Sequence, residues 1–317
     1  MMKQVPLSED WRHTLKTPSI LSKTTIGVML QVRVGVLVLL MLLFVVRPAP
    51  LAQGQQYKFQ RLNPPGSTYS FAFGINNKDV IVGSFVDASS VYEGFVYKHG
   101  KYEAIVFPGS VGFTQASGVN DSNTLVGEFI GSDQFTHGFL LTSDGQFTQY
   151  DVAVDTSTYV FGINNAGNLA GFVGNDGANQ AFVNIGGTVT QFTVNGNPTV
   201  AFGIDSSNNT VGQFVDTNFI THGFYRDTSG VITQIDYPGA TTTSCLGIND
   251  LRVITGYYLD SVGAAHGFAE KNGKFLTLPI PSVAGINNGG SFVGSYLGKN
   301  QENYGYVANS VSPAETQ

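Results

Sequence analysis

Residues 74–98 read GINNKDVIVGSFVDASSVYEGFVYK. The stretch breaks at Asn76-Asn77-Lys78-Asp79, runs apolar from Val80 to Val86, breaks again at Asp87-Ala88-Ser89-Ser90 and resumes at Glu93. Asn, Asp and Ser clusters build tight turns because their side chains bond the local backbone and they tolerate positive φ. The runs between them are too short for helices and are rich in Val, Ile and Phe, as strands are. A continuous apolar run, as opposed to an alternating one, predicts a strand covered on both faces of its sheet. Working outward, Ser70 to Ile75 precedes the first turn, Glu93 to Lys98 follows the second, and His99-Gly100 turns into Lys101 to Phe107 before Pro108-Gly109 closes the unit. Four short strands within ~40–45 residues make the length of a propeller blade.

The unit recurs six times. Its opening triplet stands at Gly74-Ile75-Asn76, Gly118-Val119-Asn120, Gly162-Ile163-Asn164, Gly203-Ile204-Asp205, Gly247-Ile248-Asn249 and Gly285-Ile286-Asn287, at steps of 44, 44, 41, 44 and 38 residues. A second glycine always follows nine positions on, at Gly83, Gly127, Gly171, Gly212, Gly256 and Gly294. A small residue and an aromatic come next: Gly94-Phe95, Gly138-Phe139, Ala181-Phe182, Gly223-Phe224, Gly267-Phe268 and Gly305-Tyr306. Glycines at fixed places inside strands mark close approach of another backbone.

The sixth unit stops after its third strand, and the missing fourth stands at the other end of the repeat array. Residues 57–66, YKFQRLNPPG, match the fourth strands at Lys101 to Gly109 and Val231 to Gly239. The sequence thus predicts an all-β, closed six-bladed propeller over residues 57–310, its four-stranded blades closed by an N-terminal strand that completes the last blade and protects two open edges. Residues 311–317 read as a short disordered tail.

The chain carries 16 Lys and Arg against 22 Asp and Glu, a formal charge of −6, and only 12% charged residues. An acidic chain is no nucleic-acid binder, and its 23 Phe and 14 Tyr exclude general disorder. One cysteine, Cys245, rules out an intrachain disulfide framework. Val34 to Val46 is an uncharged apolar run between Arg33 and Arg47. Its length suits a signal-peptide core better than a membrane span, which takes ~20 residues. Residues 1–52 therefore read as an export signal cut after Ala52, with translation starting at Met29, or alternatively as an uncleaved N-terminal membrane anchor. Either way the propeller lies outside the cytoplasm, extracellular, periplasmic or at the cell surface, and touches a membrane only through that segment.

With Gly-Ile-Asn-Asn, Val-Gly, Asp236-Tyr237-Pro238-Gly239-Ala240 and the triplets His137-Gly138-Phe139, His222-Gly223-Phe224 and His266-Gly267-Phe268, the repeats resemble the HAF family of bacterial extracellular repeats. Units one, three and six depart from that pattern, with Glu93, Gln180 and Tyr304 in the histidine place. The resemblance implies a secreted or surface location and a repeat architecture. It carries no catalytic residues.

The chemistry-bearing residues point to turns more than to sites. Equivalent histidines on neighbouring blades would stand far apart, whereas zinc ligands meet within ~2 Å of one ion. Backbone or turn bonding is the expected role of the imidazoles. The Asn and Asp turns lack the alternating carboxylates of calcium loops. The sequence thus predicts no metal and no cofactor, and no nucleophile, phosphate or dinucleotide motif is present. Asp87, Asp216 and Asp260 each fall four residues after a second glycine, as repeated turn formers would. They remain binding candidates together with aromatics expected on the same face: Tyr92, Phe135 and Phe219 in turns between second and third strands, and Phe113 and Tyr159 in loops between blades. Rim aromatics stack on sugars or peptide side chains. The expected function is an exported, non-catalytic propeller that binds a glycan or another macromolecule, such as a protein, with one face. The alternatives are an extracytoplasmic polysaccharide lyase or hydrolase with its site at the channel mouth, and a structural envelope protein.

Overall fold

A computed structural model of the protein describes residues 56–175 and 179–311. The expected export segment at 1–52 and residues 312–317 lie outside the described residues. Twenty-four strands and no helix occur among the described residues, arranged as six antiparallel sheets of four. The first, β1 (Gln56–Leu62), is followed by blade one: β2 (Ser67–Ile75), β3 (Ile81–Asp87), β4 (Tyr92–Lys98) and β5 (Lys101–Ile105). Blades two to five repeat the order as β6–β9 (114–150), β10–β13 (158–192), β14–β17 (199–235) and β18–β21 (242–278). Blade six holds β22 (Gly285–Ile286), β23 (Phe292–Leu297), β24 (Asn303–Val311) and then β1, which pairs along β24 from Gln56 opposite Val311 to Leu62 opposite Gly305. The six-bladed, N-terminally closed propeller is the architecture read from the repeats. β24 runs through Val311, one residue into the stretch read as a tail.

The core lies between the blades. Each junction has its own apolar cluster, such as Val80, Val82, Ala116, Leu125, Phe129 and Phe139 between blades one and two, or Leu62, Ala72, Ile75, Phe95, Val293 and Val307 between six and one. Strand β3 is buried at six of its seven positions, as a strand sandwiched between neighbouring blades must be. The aromatic of every third strand (Phe95, Phe139, Phe182, Phe224, Phe268, Tyr306) is at most 2% exposed. Full burial of such a ring stabilises by about 1.5–3 kcal/mol.

Two glycines show why the repeat fixes its spacing. A Cβ on Gly74 would stand 2.9 Å from the Ser117 carbonyl oxygen of the next blade, so this glycine sets how closely inner strands approach. A Cβ on Gly83 would stand 1.9 Å from the Phe71 carbonyl oxygen and 2.7 Å from the Phe95 ring. The first and second strands slip register between Ala72 and Gly74, and the same bulge recurs in blades two to five. The extra residue, Phe73 in blade one, is left unpaired by the ladder.

The Asn of each opening triplet serves two blades. Asn76 Oδ1 accepts from the backbone of Lys78 and Val80 in its own turn, both at 2.9 Å, while its Nδ2 donates to the Asn120 carbonyl at 2.8 Å. The same clasp runs from Asn120 to Asn164 (3.2 Å), Asn164 to Asp205 (2.9 Å), Asn249 to Asn287 (3.0 Å) and Asn287 back to Asn76 (3.1 Å). A carboxylate has no proton to donate, so Asp205 sends no such bond to Asn249; its Oδ2 accepts from Asn209 instead, at 2.8 Å.

Candidate functional site

Each blade sends its first-to-second and third-to-fourth strand turns to one face and its second-to-third turns and blade-linking loops to the other. The chain enters β1 at Gln56 and leaves β24 at Val311 on the first of these faces. The second face collects most of the exposed apolar side chains: Phe219 (90% exposed), Val154 (86%), Val262 (85%), and less fully Val91, Val106, Val111 and Ile220.

The sequence-expected residues divide on this face. Asp87, Asp216 and Asp260 cap their turns: each Oδ1 accepts two backbone N–H groups, Ser89 and Val91, Asn218 and Ile220, and Val262 and Ala264, at 2.8–3.0 Å. Tyr92 and Phe113 meet, their rings 5.6 Å apart across the junction of blades one and two, and both are half-buried. Phe135 is half-buried in its own turn. Phe219 belongs to blade four, opposite blade one in the ring, and projects from its turn beside the less exposed Ile220, at φ +63°. The same turn position holds Ser90, Gln134, Gly263 and Gln301 in other blades. Left-handed backbone costs a side chain of this size energy.

Tyr159 corrects an expectation. It is not a rim residue of a loop: it lies in β10 (Thr158–Ile163), 3% exposed, with its ring stacked on Phe172 at 4.2 Å. It stands three residues before Gly162, the register of Phe71, Gln115, Val200 and Ser244, all on inner strands. Inner-strand pairing captures it and turns the ring inward.

The repeated histidines open their third strands and stack on the aromatic of the neighbouring strand, as Phe129 and His137 do at 5.2 Å. They bond turn carboxylates. His137 lies between Asp133 (3.1 Å) and Asp151 (3.0 Å), His222 is 3.0 Å from Asp236, and His266 is 3.0 Å from Asp260. Burial pulls the His137 pKa down, but its two carboxylate partners outweigh that and hold it above the ordinary value. Among the described residues no group of three His, Cys, Asp or Glu is placed to hold a metal ion. Cys245 is fully buried against Gly223, and burial pushes its thiol far above the usual range.

On the opposite face Asp121 and Asp250, from opposing blades, stand in the turns that follow the innermost strands. Asp121 accepts from the Asn77 backbone, Asn77 Nδ2 and Asn165 Nδ2, each at 2.8 Å, and Asp250 accepts from the Ser206 backbone and Asn288 Nδ2, each at 2.8 Å. Burial opposes the Asp121 charge, yet these donors hold its carboxyl below the ordinary value. Both carboxylates tie blades together.

Between the two faces the inner strands line a channel cavity of about 160 Å3 that opens to solvent. Its wall is apolar around Phe73, Phe161, Phe202 and Leu246, carries Tyr257, Ser282 and Ser295 elsewhere, and is polar at neighbouring Gln115 and Ser117. Behind these two sits Glu128 of β7 (Leu125–Ile130), 2% exposed. Glu128 accepts from Gln115 Nε2 at 2.6 Å and from Ser117 Oγ at 3.0 Å, and burial raises its pKa to about 8. No Lys or Arg among the described residues pairs with it, whereas the other buried glutamate, Glu270, lies 3.8 Å from Arg252. Sequence reasoning passed over this feature. Its signal is the residue after each second glycine, which changes from Ser84 to Glu128, Phe172, Gln213, Tyr257 and Ser295 while its surroundings repeat.

No protein-family profile matches the sequence, and no curated protein matches it. Solved structures do resemble the fold. Aleuria aurantia lectin in complex with Fucα1-6GlcNAc aligns with a TM-score of 0.50 and 11% identity over 78% of this chain and 97% of that one. SapL1 lectin in complex with α-methyl fucoside aligns at 0.51 and 15% over 78% and 97%. TolB from Acinetobacter baumannii aligns at 0.51 and 9% over 78% of this chain and 65% of its own. These likenesses establish a propeller fold shared with lectins and with a protein of another kind.

Proposed function

We propose that the protein is an exported, non-catalytic propeller of HAF-type repeats that binds a glycan through the face bearing the second-to-third-strand turns and the blade-linking loops. The observation that carries this reading is Phe219, a 90% exposed ring held at φ +63° on a face that also presents Val154 and Val262. Exposed aromatic rings stack on the apolar faces of sugars. This face lies opposite the one where residues 1–55 join the propeller, so an export anchor would leave it unobstructed. The fucoside complexes of the two similarly folded lectins lend support and name the first ligands to try.

The test is a glycan array probed with the mature domain beginning at Gln53, fucosylated glycans included, alongside Phe219→Ala. Binding that falls at least tenfold in the variant supports the proposal. A folded domain that binds no glycan, or a variant that binds as well as its parent, overturns it.

A further inference from the structure

The axial channel is chemically distinct from the outer face, and no part of the glycan reading uses it. We infer that it is a small-molecule site, taking a flat, largely apolar molecule between benzene and indole in size that carries one hydrogen-bond donor.

Three observations converge. The cavity of about 160 Å3 is close to the ~150 Å3 apolar cavity known to take benzene. Its wall pairs aromatic and aliphatic side chains with a few fixed polar groups, the usual make-up of a ligand pocket. The polar corner is also incomplete. Gln115 is 4% exposed and lines the cavity; its Nε2 is spent on Glu128 at 2.6 Å and on Ser117 Oγ at 3.2 Å. Its Oε1 has no hydrogen-bond partner among the described residues. The channel leaves this acceptor open to solvent, so a ligand's donor can take the place of water there.

The side chains assign roles. Phe73, Phe161 and Phe202 supply ring surface, and Phe161 and Phe202 already lie 5.2 Å apart. Gln115 Oε1 accepts the ligand's N–H or O–H. Glu128 acts as a positioning residue behind Gln115, since its grip on Nε2 fixes which end of the amide faces the cavity.

Indole and toluene, titrated into the protein and followed by calorimetry, separate the elements of the inference. Indole should bind, and toluene should bind about tenfold more weakly for want of a donor. Gln115→Leu should weaken indole about tenfold and leave toluene unchanged. Ala284→Phe places in blade six the ring that blades one, three and four already carry at this register, and filling the channel should abolish binding of both. No indole binding at 10 mM (roughly the ~2.7 kcal/mol level), or binding indifferent to Ala284→Phe, overturns the inference. Should that variant not fold, methyl resonances of Leu246 and Ile248 in the unaltered protein decide: indole must shift them, and shifts confined to surface turns refute a channel site.

Discussion

Asn287 donates its side-chain amide to the main-chain carbonyl of Asn76 at 3.1 Å, across 211 positions of sequence. This bond closes a circle of clasps whose one missing link leaves Asp205. Asp205→Asn keeps an oxygen for the backbone N–H groups of Ser207 and Asn209, each at 2.9 Å, but exchanges the bond accepted from Asn209 Nδ2 for a donor turned toward blade five. One net hydrogen bond contributes about 1 kcal/mol. The exchange should therefore leave Tm within about 2 °C of the parent, whereas Asn76→Asp, which loses its clasp donor outright, should lower Tm by about 2–4 °C in a domain of this size. Differential scanning calorimetry reads both.

Gly127→Ala should be among the most damaging single-atom additions. The new Cβ would stand 1.9 Å from the Gln115 carbonyl oxygen and 2.9 Å from the Phe139 ring. Neither a paired backbone nor a fully buried ring can yield. A loss of about 3 kcal/mol or more in denaturant unfolding is expected, whereas an alanine at an open surface position would cost little.

Glu128 makes stability depend on pH. Its folded pKa of about 8 lies above the model-peptide value of 4.5, so the folded state holds the proton more tightly. Stability from this group is full below pH 4.5, declines as pH rises toward 8 and is lost above it. The upper bound is about 5 kcal/mol. Glu128→Gln, neutral at every pH, should match its parent near pH 4 and exceed it by several kcal/mol near pH 9. Parallel melting curves that never diverge across this range would contradict the assignment.

Phe219→Gly separates binding from folding. Glycine adopts φ +63° without steric cost, and the ring is 90% exposed, so stability should hold or rise by up to about 1 kcal/mol. Glycan retention on a column should disappear. Lost binding in a variant with an unaltered melting curve marks the ring as a contact.

The six-fold plan was legible because its signals are local. Each hairpin announces itself through its own turn residues, and the invariant nine-residue step between glycines records a bulge with a ring lying over it. The displaced strand Tyr57 to Leu62 was legible because it repeats the sequence of other fourth strands. The clasps were not, because hairpin chemistry alone explains Asn76 and nothing in one sequence links it to Asn120. Glu128 was hidden for a related reason: its partner Gln115 lies on another strand, and only inner-strand register brings them together. Tyr159 was misplaced by a boundary error, since β10 begins one residue before it. The turn roles of Asp87, Asp216 and Asp260 followed directly from their fixed offset.

The pairing of Gln56 with Val311 has a consequence for the order of events during synthesis. The first strand to leave the ribosome is the last to find a partner, so five blades must wait, edges bare, until β24 arrives. Such intermediates are prone to stick to one another. A permuted chain that starts at Ser67 and carries β1 after β24, joined by a short hairpin, would let every blade assemble from contiguous residues. It is expected to reach the same final stability, to refold faster and to aggregate less on the way, as stopped-flow fluorescence and light scattering would record.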